Sequence, residues 1–141
     1  ISKKIAKDGE GATKLIECTV KNANSIEEAE ALSKSVITSS LVKAAIFGSD
    51  ANWGRILCAL GYSGIDFDPE KVDVSFASTA GEILVCQDGA SVSFNEAKAK
   101  EILLQDEIKI LIDMKLASYA ATTWGCDLTY DYVKINGDYR S

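Results

Sequence analysis

The alternation of apolar and polar side chains predicts a strand near each end of the chain. In residues 14–20, Ile16, Cys18 and Val20 fall on one face and more polar neighbours fall on the other. Residues 107–114 alternate in the same way, with Ile108, Ile110, Ile112 and Met114 at every second position. A period of two residues is typical of a strand that buries one face. Both segments are therefore predicted to be strands of one sheet.

Three other stretches carry the signals of helix starts. Ser25 opens a capping-box sequence and is followed by apolar residues at helical spacing, which predicts a helix over residues 25–39. Asp50 is the predicted N-cap of a second helix. Asn95 can cap a third helix over residues 96–104.

The remaining apolar stretches are shorter and favour strands. Residues 87–90 form a turn-like sequence between two of them and predict a β-hairpin. A stretch rich in Thr and Tyr near the end of the chain predicts an extended segment that is broken at Gly125. These predicted strands cover residues 41–47, 72–76, 82–86, 91–94 and 117–135.

About three helices and six strands therefore interleave without regular alternation. That order favours an α+β fold, with a single domain, a mixed β-sheet and helices packed on one face. The chain has 141 residues, which is enough for one domain. Residues 1–13 are expected to continue an element from upstream, because the chain starts at Ile1 without Met.

The amino-acid composition limits the kinds of function that this chain can have. The chain contains no His, which excludes catalytic schemes and metal sites that need an imidazole of this chain. Its formal net charge of −6 disfavours nucleic-acid binding, and no apolar run reaches membrane-spanning length. The four Cys residues have no metal-ligand spacing and are expected to be reduced and mostly buried. Without a secretory signal pattern, the cytoplasm is the expected compartment.

Four stretches could carry chemistry, and each also has a purely structural explanation. Glu10 lies between two glycines, either as an open ligand contact or as a solvated turn. Residues 52–55 could support an anion site through a helix start and an Arg, or could simply cap and cover that helix. The hydroxyl- and aromatic-rich residues 122–132 could be an ordinary strand. The polar tail 136–141 could contact a ligand or fray.

Taken together, long motifs in a fixed order resemble one family from about Lys7 to Ser141. They read Asp-Gly-Glu-Gly-Ala-Thr-Lys14, Ala-Ile-Phe-Gly-Ser-Asp-Ala-Asn-Trp-Gly-Arg55, Gly-Tyr-Ser-Gly-Ile-Asp-Phe-Asp68 and Trp-Gly-Cys-Asp-Leu-Thr-Tyr-Asp-Tyr-Val-Lys-Ile-Asn136. This order resembles the C-terminal part of the β chain of ornithine acetyltransferase. That family is the bifunctional glutamate N-acetyltransferase of arginine biosynthesis.

The resemblance implies an acetyl transfer from N2-acetyl-L-ornithine to L-glutamate. In the family, one precursor cuts itself into an α chain and a β chain, and the new N-terminal Thr of the β chain becomes the nucleophile. Its own α-amine acts as the base, and the α chain supplies the oxyanion hole. The nucleophile would lie upstream of Ile1, so this chain contains no catalytic residue and is expected to be inactive alone.

The resemblance also implies which residues contact substrate. Glu10 would pair with an ammonium group, and Asn136 and Ser141 would hydrogen-bond polar groups of the amino acid. Asn52 and Arg55 are candidates for support of the site. No metal or cofactor is expected, with acetyl-CoA left open as an acetyl donor. The expected partners are the α chain and the amino-acid substrates in an α2β2 assembly, without nucleic acid or membrane.

Two features depart from the family pattern. The tail reads Asn-Gly-Asp-Tyr-Arg-Ser141 where relatives commonly read Asn-Ala-Asp-Tyr-Arg-Thr, and residues 115–119 lack an expected Gly-rich turn. Two other functions stay open on the residues alone. The first is a non-catalytic amino-acid-binding or regulatory domain, and the second is a structural subunit that packs on a partner.

Overall fold

The structure is a computed structural model that describes residues 14–127. Within these residues three consecutive helices follow the first strand, a fourth helix lies between the fourth and fifth strands, and Pro69–Lys71 forms a short 3-10 helix. In chain order the elements are β1 Leu15–Ala23, α1 Ile26–Ile37, α2 Ser40–Phe47, α3 Trp53–Gly61, β2 Asp73–Ser78, β3 Gly81–Gln87, β4 Ala90–Ser91, α4 Glu96–Leu103, β5 Glu107–Asp113 and β6 Tyr119–Cys126.

The six strands form one mixed sheet in the order β4-β3-β2-β5-β1-β6. β1 pairs with β5 in parallel, with Ile16 opposite Ile108, and with β6 in antiparallel. The pairs β2–β5, β2–β3 and β3–β4 are antiparallel. The predicted single α+β domain with a mixed sheet is therefore confirmed.

The core lies between one face of the sheet and the helices. Ile16, Cys18 and Val20 of β1 are essentially inaccessible to solvent, as the alternation predicted. They pack in one cluster with apolar residues of α1, α2, α3 and α4. The opposite face is half-exposed and carries side chains such as Glu17 and Thr19. Helices on one face are thus confirmed as well.

The predicted caps account for two helix starts. The Ser25 hydroxyl accepts a hydrogen bond from the Glu28 amide at 3.1 Å, and the Asn95 side chain accepts one from the Lys98 amide at 3.0 Å. The predicted hairpin is confirmed, although its second strand is only Ala90–Ser91 and not residues 91–94. Its turn places Asp88 and Gly89 in the left-handed region. That conformation suits a two-residue turn between antiparallel strands.

The prediction of a strand over residues 41–47 was wrong. This stretch is the helix α2, and the Ser39 hydroxyl caps it by accepting a hydrogen bond from the Val42 amide at 3.2 Å. Its buried residues are Val42, Ala45 and Ile46, which share one helical face. A short apolar run does not distinguish a buried helix from a strand, and here the Ser39 cap was the overlooked signal.

Three smaller expectations also need correction. The N-cap of α3 is Asn52 and not Asp50. β6 continues through Gly125, which pairs with Ile16 of β1, and an added Cβ at Gly125 would collide with the Ile37 side chain of α1. Cys58 is exposed, although none of the four cysteines, all of which lie within residues 14–127, forms a disulfide.

Candidate functional site

The substrate contacts expected from the sequence lie just beyond the described residues. Glu10, Asn136 and Ser141 fall outside residues 14–127, so their roles stay predictions. Lys14 and Asp127 are the first and last residues that the structure describes. Glu10 precedes Lys14 by four positions, and Asn136 follows Asp127 by nine. In the sequence, the two segments with the expected contacts therefore adjoin these two residues.

Lys14 and Asp127 are joined directly to each other. The Lys14 backbone N–H donates to Asp127 Oδ1 at 2.7 Å, and the Asp127 backbone N–H donates to the Lys14 carbonyl at 3.1 Å. Both residues are buried, with 8% and 4% of their surfaces exposed. The pair extends the antiparallel pairing of β1 with β6 by one step. The entry to β1 and the exit from β6 are thus fixed at one point.

The Lys14 ammonium group holds the ends of two helices. Nζ donates to the carbonyl of Ile46 at 2.8 Å and to the carbonyl of Leu103 at 2.6 Å, in the last turns of α2 and α4. Its third hydrogen bond goes to Ser49 Oγ at 2.9 Å. Carbonyl groups at a helix C-terminus carry partial negative charge and favour a cation. The three protons of the ammonium are therefore matched by three acceptors.

Burial lowers the pKa of Lys14, and the nearby Asp127 carboxylate partly opposes that shift. Desolvation disfavours the charged form of a buried lysine, whereas an adjacent negative charge favours it. All three donors of the Lys14 ammonium are used by backbone carbonyl and hydroxyl acceptors, so this side chain stabilises the fold. It is not arranged to exchange a proton with a substrate.

Asn52 and Arg55, the candidates for site support, make internal contacts. Asn52 Oδ1 accepts from the Arg55 backbone N–H at 3.1 Å, and Asn52 Nδ2 donates to Asp50 at 3.3 Å. Arg55 Nη1 donates to the Leu41 carbonyl at 3.1 Å, which joins α3 to the first turn of α2. The structure brings Asn52 and Arg55 together at a helix start. A role in supporting the substrate site stays a prediction.

The hydroxyl- and aromatic-rich strand is β6, and part of it pairs across to β1. Thr122 Oγ1 lies 2.8 Å from Thr19 Oγ1, and Trp124 Nε1 donates to Glu17 at 2.9 Å. Cross-strand pairs of this kind stabilise a sheet. Within residues 14–127, the buried Thr123 Oγ1 has no hydrogen-bond partner. The described part of this motif is accounted for as an edge strand.

An open cleft of about 810 Å³ runs between β6 and α1. Charged side chains of α1, Glu27, Glu30 and Lys34, line one wall, and residues 120–124 line the other. Within residues 14–127 no three His, Cys, Asp or Glu side chains are grouped so that they could hold a metal ion. The helices in that range also include none that is long and apolar enough to cross a bilayer.

Comparison with known proteins shows the family. The ArgJ family model matches residues 1–141. The chain belongs to the ArgJ family. It is 57% identical over 141 residues to the arginine biosynthesis bifunctional protein ArgJ of Caldanaerobacter subterraneus subsp. tengcongensis, covering all of this chain and 35% of that protein. It is 47% identical over 145 residues to the glutamate N-acetyltransferase of Methanocaldococcus jannaschii, covering all of this chain and 36% of that protein.

A solved ArgJ structure shares the fold. The crystal structure of the arginine biosynthesis bifunctional protein ArgJ from Bacillus halodurans superposes with a TM-score of 0.88 at 44% identity. The match covers 97% of this chain and 63% of that one. The chain spans about a third of the length of the curated ArgJ relatives that it matches.

Sequence reasoning missed the Lys14–Asp127 pair in this ArgJ-family chain. Lys14 directly precedes a strand and Asp127 directly follows one, which resembles ordinary solvated strand ends. Their burial depends on two helix C-termini that come from 32 and 89 positions further along the chain. Only the tertiary fold brings those carbonyls to the lysine, so the motifs that contain Lys14 and Asp127 gave no sign that the two residues pair.

Proposed function

We propose that this chain is the C-terminal domain of the β chain of a bifunctional glutamate N-acetyltransferase. The complete protein would move an acetyl group from N2-acetyl-L-ornithine to L-glutamate. The observation that carries the proposal is the match of the ArgJ family model to the whole chain. Relatives named as ArgJ and as glutamate N-acetyltransferase support it.

The proposed reaction has two acyl transfers. The hydroxyl of an N-terminal Thr, upstream of this chain, attacks the acetyl carbonyl of N-acetylornithine, and ornithine leaves as its free amine after taking up a proton. The amine of glutamate then attacks the acetyl ester and gives up a proton as the Thr hydroxyl is restored. The α-amine of the same Thr moves these protons, and donors of the α chain stabilise the oxyanion.

This chain would contribute substrate contacts and support for the pocket. Glu10 would pair with an ammonium group of the amino acid, while Asn136 and Ser141 would hydrogen-bond its polar groups. Asn52 and Arg55 would act only through the helices that they join. Residues 1–13 would continue an element from the upstream part of the β chain. The fragment alone would be inactive, because its nucleophile and oxyanion donors lie elsewhere.

The proposed assembly pairs this β chain with the α chain of the same precursor, doubled to α2β2. The proposed compartment is the cytoplasm, where amino-acid substrates are made and used. Acetyl-CoA would be a further donor if the full enzyme also acetylates glutamate directly. No resident metal or cofactor is needed for acyl transfer between two amines through a hydroxyl ester.

The test is an acetyl-transfer assay on the complete gene product, with labelled N-acetylornithine and glutamate as substrates. The wild type should form labelled N-acetylglutamate. Glu10→Ala should raise the KM for the amino-acid substrates about 10-fold or more, the effect expected for a lost charged hydrogen bond. Glu82→Ala removes an exposed carboxylate of β3 and is the matched control, with KM expected to stay unchanged.

Two results would contradict the proposal at different levels. A wild type that forms no N-acetylglutamate would remove the transferase function. Binding of glutamate or ornithine without transfer would instead favour an amino-acid-binding domain. A wild type that transfers, with an unchanged KM in Glu10→Ala, would leave the transferase standing and remove Glu10 from the substrate site.

A further inference from the structure

We propose that the cleft between α1 and β6 is the surface through which two copies of this chain meet. A two-fold axis would relate the copies, with their β6 strands antiparallel and their α1 helices side by side. The inference rests on the doubled assembly of the proposed function and names the surface that forms it. It uses none of the predicted substrate contacts.

The first support is the contrast between the two outer strands of the described sheet. β4 and β6 lie at its opposite edges. β4 has only two residues, and such shortness protects an edge against pairing with another chain. β6 has eight residues, with neither Pro nor a charged side chain among them, and residues 120–124 line the cleft. An outer strand of this kind readily pairs with a further strand.

The second support is the charge pattern of α1 along the cleft. Glu27, Glu30, Ala31 and Lys34 line one wall, and their spacing of three and four residues places them in one stripe of the helix. The acidic side chains lie toward the N-terminal end of this stripe and the basic one at its C-terminal end. Within residues 14–127 none of the three charged side chains forms an ion pair. The stripe therefore presents opposite charges at its two ends.

A second copy supplies the matching charges. In a two-fold interface, residue i of one copy contacts residue j of the other, and j contacts i. Two antiparallel α1 helices centred between Glu30 and Ala31 place Glu27 of each copy opposite Lys34 of the other. The small side chain of Ala31 then lies near the axis. The stripe is thus complementary to itself, and two symmetric ion pairs result.

The strands and the helices can obey the same axis. α1 packs over both β6 and β1, the last two strands at this edge of the described sheet. Because paired strands lie about 4.8 Å apart, two such helices would lie about 10 Å apart across the axis, which is an ordinary distance between packed helices. Ile26, which is 50% exposed at the start of α1, would be partly covered. One contact therefore serves both elements of the cleft.

The experiment measures the dissociation constant of the doubled assembly, by diluting the complete gene product in fluorescence-detected sedimentation. The variants are Lys34→Glu, the charge exchange that combines Glu27→Lys with Lys34→Glu, and the control Lys100→Glu. Lys100 is exposed in the last turn of α4, as Lys34 is in α1, but it does not line the cleft. The charge exchange sets both charges against the helix dipole, so an effect on the helix alone would make it the weakest variant.

We expect Lys34→Glu to raise the dissociation constant about 10-fold or more, because each of two symmetric attractions becomes a repulsion. The charge exchange should return the constant to within about 3-fold of wild type, since both ion pairs form again with reversed signs. Lys100→Glu should keep the wild-type value. Hydrogen exchange of the β6 amides should be faster in the separated Lys34→Glu protein.

Three results would overturn the inference while leaving the transferase intact. The first is an unchanged dissociation constant in Lys34→Glu, which would leave the cleft to another part of the same protein. The second is a charge exchange no tighter than Lys34→Glu, or an equal weakening in Lys100→Glu. The third is release of the α chain in Lys34→Glu, without separation of the two copies, which would assign the cleft to the α chain.

Failure of the proposed function gives different results. A wild type that transfers acetyl as a single αβ unit at every concentration would remove the doubled assembly and this inference, but not the transferase. A wild type that forms the doubled assembly without acetyl transfer would remove the reaction. The dissociation constants of the variants would then still decide the surface.

Discussion

Two lysines hold opposite ends of the same sheet by different means. Lys14 is 8% exposed and donates to helix carbonyls and a hydroxyl inside the fold. Lys115 has 34% of its side chain exposed and pairs with the carboxylates of Asp73 and Asp88. Water competes with the exposed ion pairs but has little access to the buried hydrogen bonds. The buried cluster should therefore contribute more to stability than the exposed one.

The backbone differs between the two ends as well. Lys115 adopts a φ of 54°, in the left-handed region that suits glycine. It occupies the turn in which the family resemblance led us to expect glycines. Asn22, beside it across the sheet, has a φ of 60° and donates to Asp113. This end of the sheet stores backbone strain, whereas the Lys14 end holds a buried charge.

The largest expected effect is the loss of the buried ammonium. Lys14→Met would leave the Ile46 and Leu103 carbonyls without their donor, and a buried unsatisfied group costs about 1–3 kcal/mol. We expect a loss of about 3 kcal/mol in the free energy of unfolding of the complete protein. Hydrogen exchange should show increased opening in the last turns of α2 and α4. Unchanged exchange in both turns would contradict the anchoring role.

A smaller loss of stability is expected when Asp127, which is hydrogen-bonded to Lys14, is replaced. Asp127→Ala removes the hydrogen bond that the carboxylate accepts from the Lys14 amide and a negative charge near the Lys14 ammonium. We expect a loss of about 1–2 kcal/mol, measured by chemical denaturation. Asp127→Asn, the matched control, should lose less. A loss in Asp127→Ala as large as that in Lys14→Met would place the main anchor in the carboxylate and not in the ammonium.

Lys115→Met should change stability least of the three alanine or methionine substitutions. Its ion pairs with Asp73 and Asp88 are open to water and are weakened by salt. We expect a shift in melting temperature well below that of Lys14→Met, and a smaller shift still at high salt. A shift in melting temperature equal to that of Lys14→Met would mean that solvent exposure does not explain a difference in stability between the two ends of the sheet.

The two lysines should also give opposite pH trends. Burial lowers the pKa of Lys14 below its ordinary value of 10.5, so the unfolded state binds more protons and stability rises with pH up to about 10.5. The carboxylates of Asp88 and Asp73 raise the pKa of Lys115, so its contribution is complete below 10.5 and is lost at higher pH. Melting temperatures of wild type, Lys14→Met and Lys115→Met from pH 8 to 10.5 check the rising trend for Lys14 and the constant contribution of Lys115.

Between pH 8 and 10.5, the wild type should gain stability relative to Lys14→Met, while its difference from Lys115→Met should stay constant. The effect is the smallest of the four, because the Lys14 contribution changes over only part of this range. A wild type that loses stability relative to Lys14→Met as pH rises would contradict the lowered pKa.

Local signals predicted much of this fold. Strand alternation placed β1 and β5, and Ser25 and Asn95 marked two helix starts, because these patterns depend on near neighbours. The stretch 41–47 was misassigned since a short apolar run fits a helix or a strand equally well. Gly125 was wrongly predicted to break the strand. A glycine is needed there because Ile37 packs closely against it, and that contact cannot be predicted from the sequence.

The candidate site also contains residues that the sequence indicated and residues that only the fold revealed. Motif resemblance pointed to Glu10, Asn136 and Ser141, which stay predictions because they lie outside the described residues. The Lys14–Asp127 pair became visible only when β1 met β6 and two helix ends met one lysine. Contacts that join positions far apart in sequence leave no periodic pattern, and a strand-end lysine is ordinarily solvated.

The most direct test of the central claim is the intact mass of the complete gene product after incubation with N-acetylornithine in the absence of glutamate. The account predicts two chains from one precursor. The one that contains this sequence should begin with Thr and gain about 42 Da, the mass that an acetyl group adds on replacing a proton. Glutamate should then remove that mass. A single uncleaved chain that gains no mass would contradict the acyl-enzyme and, with it, the proposed function.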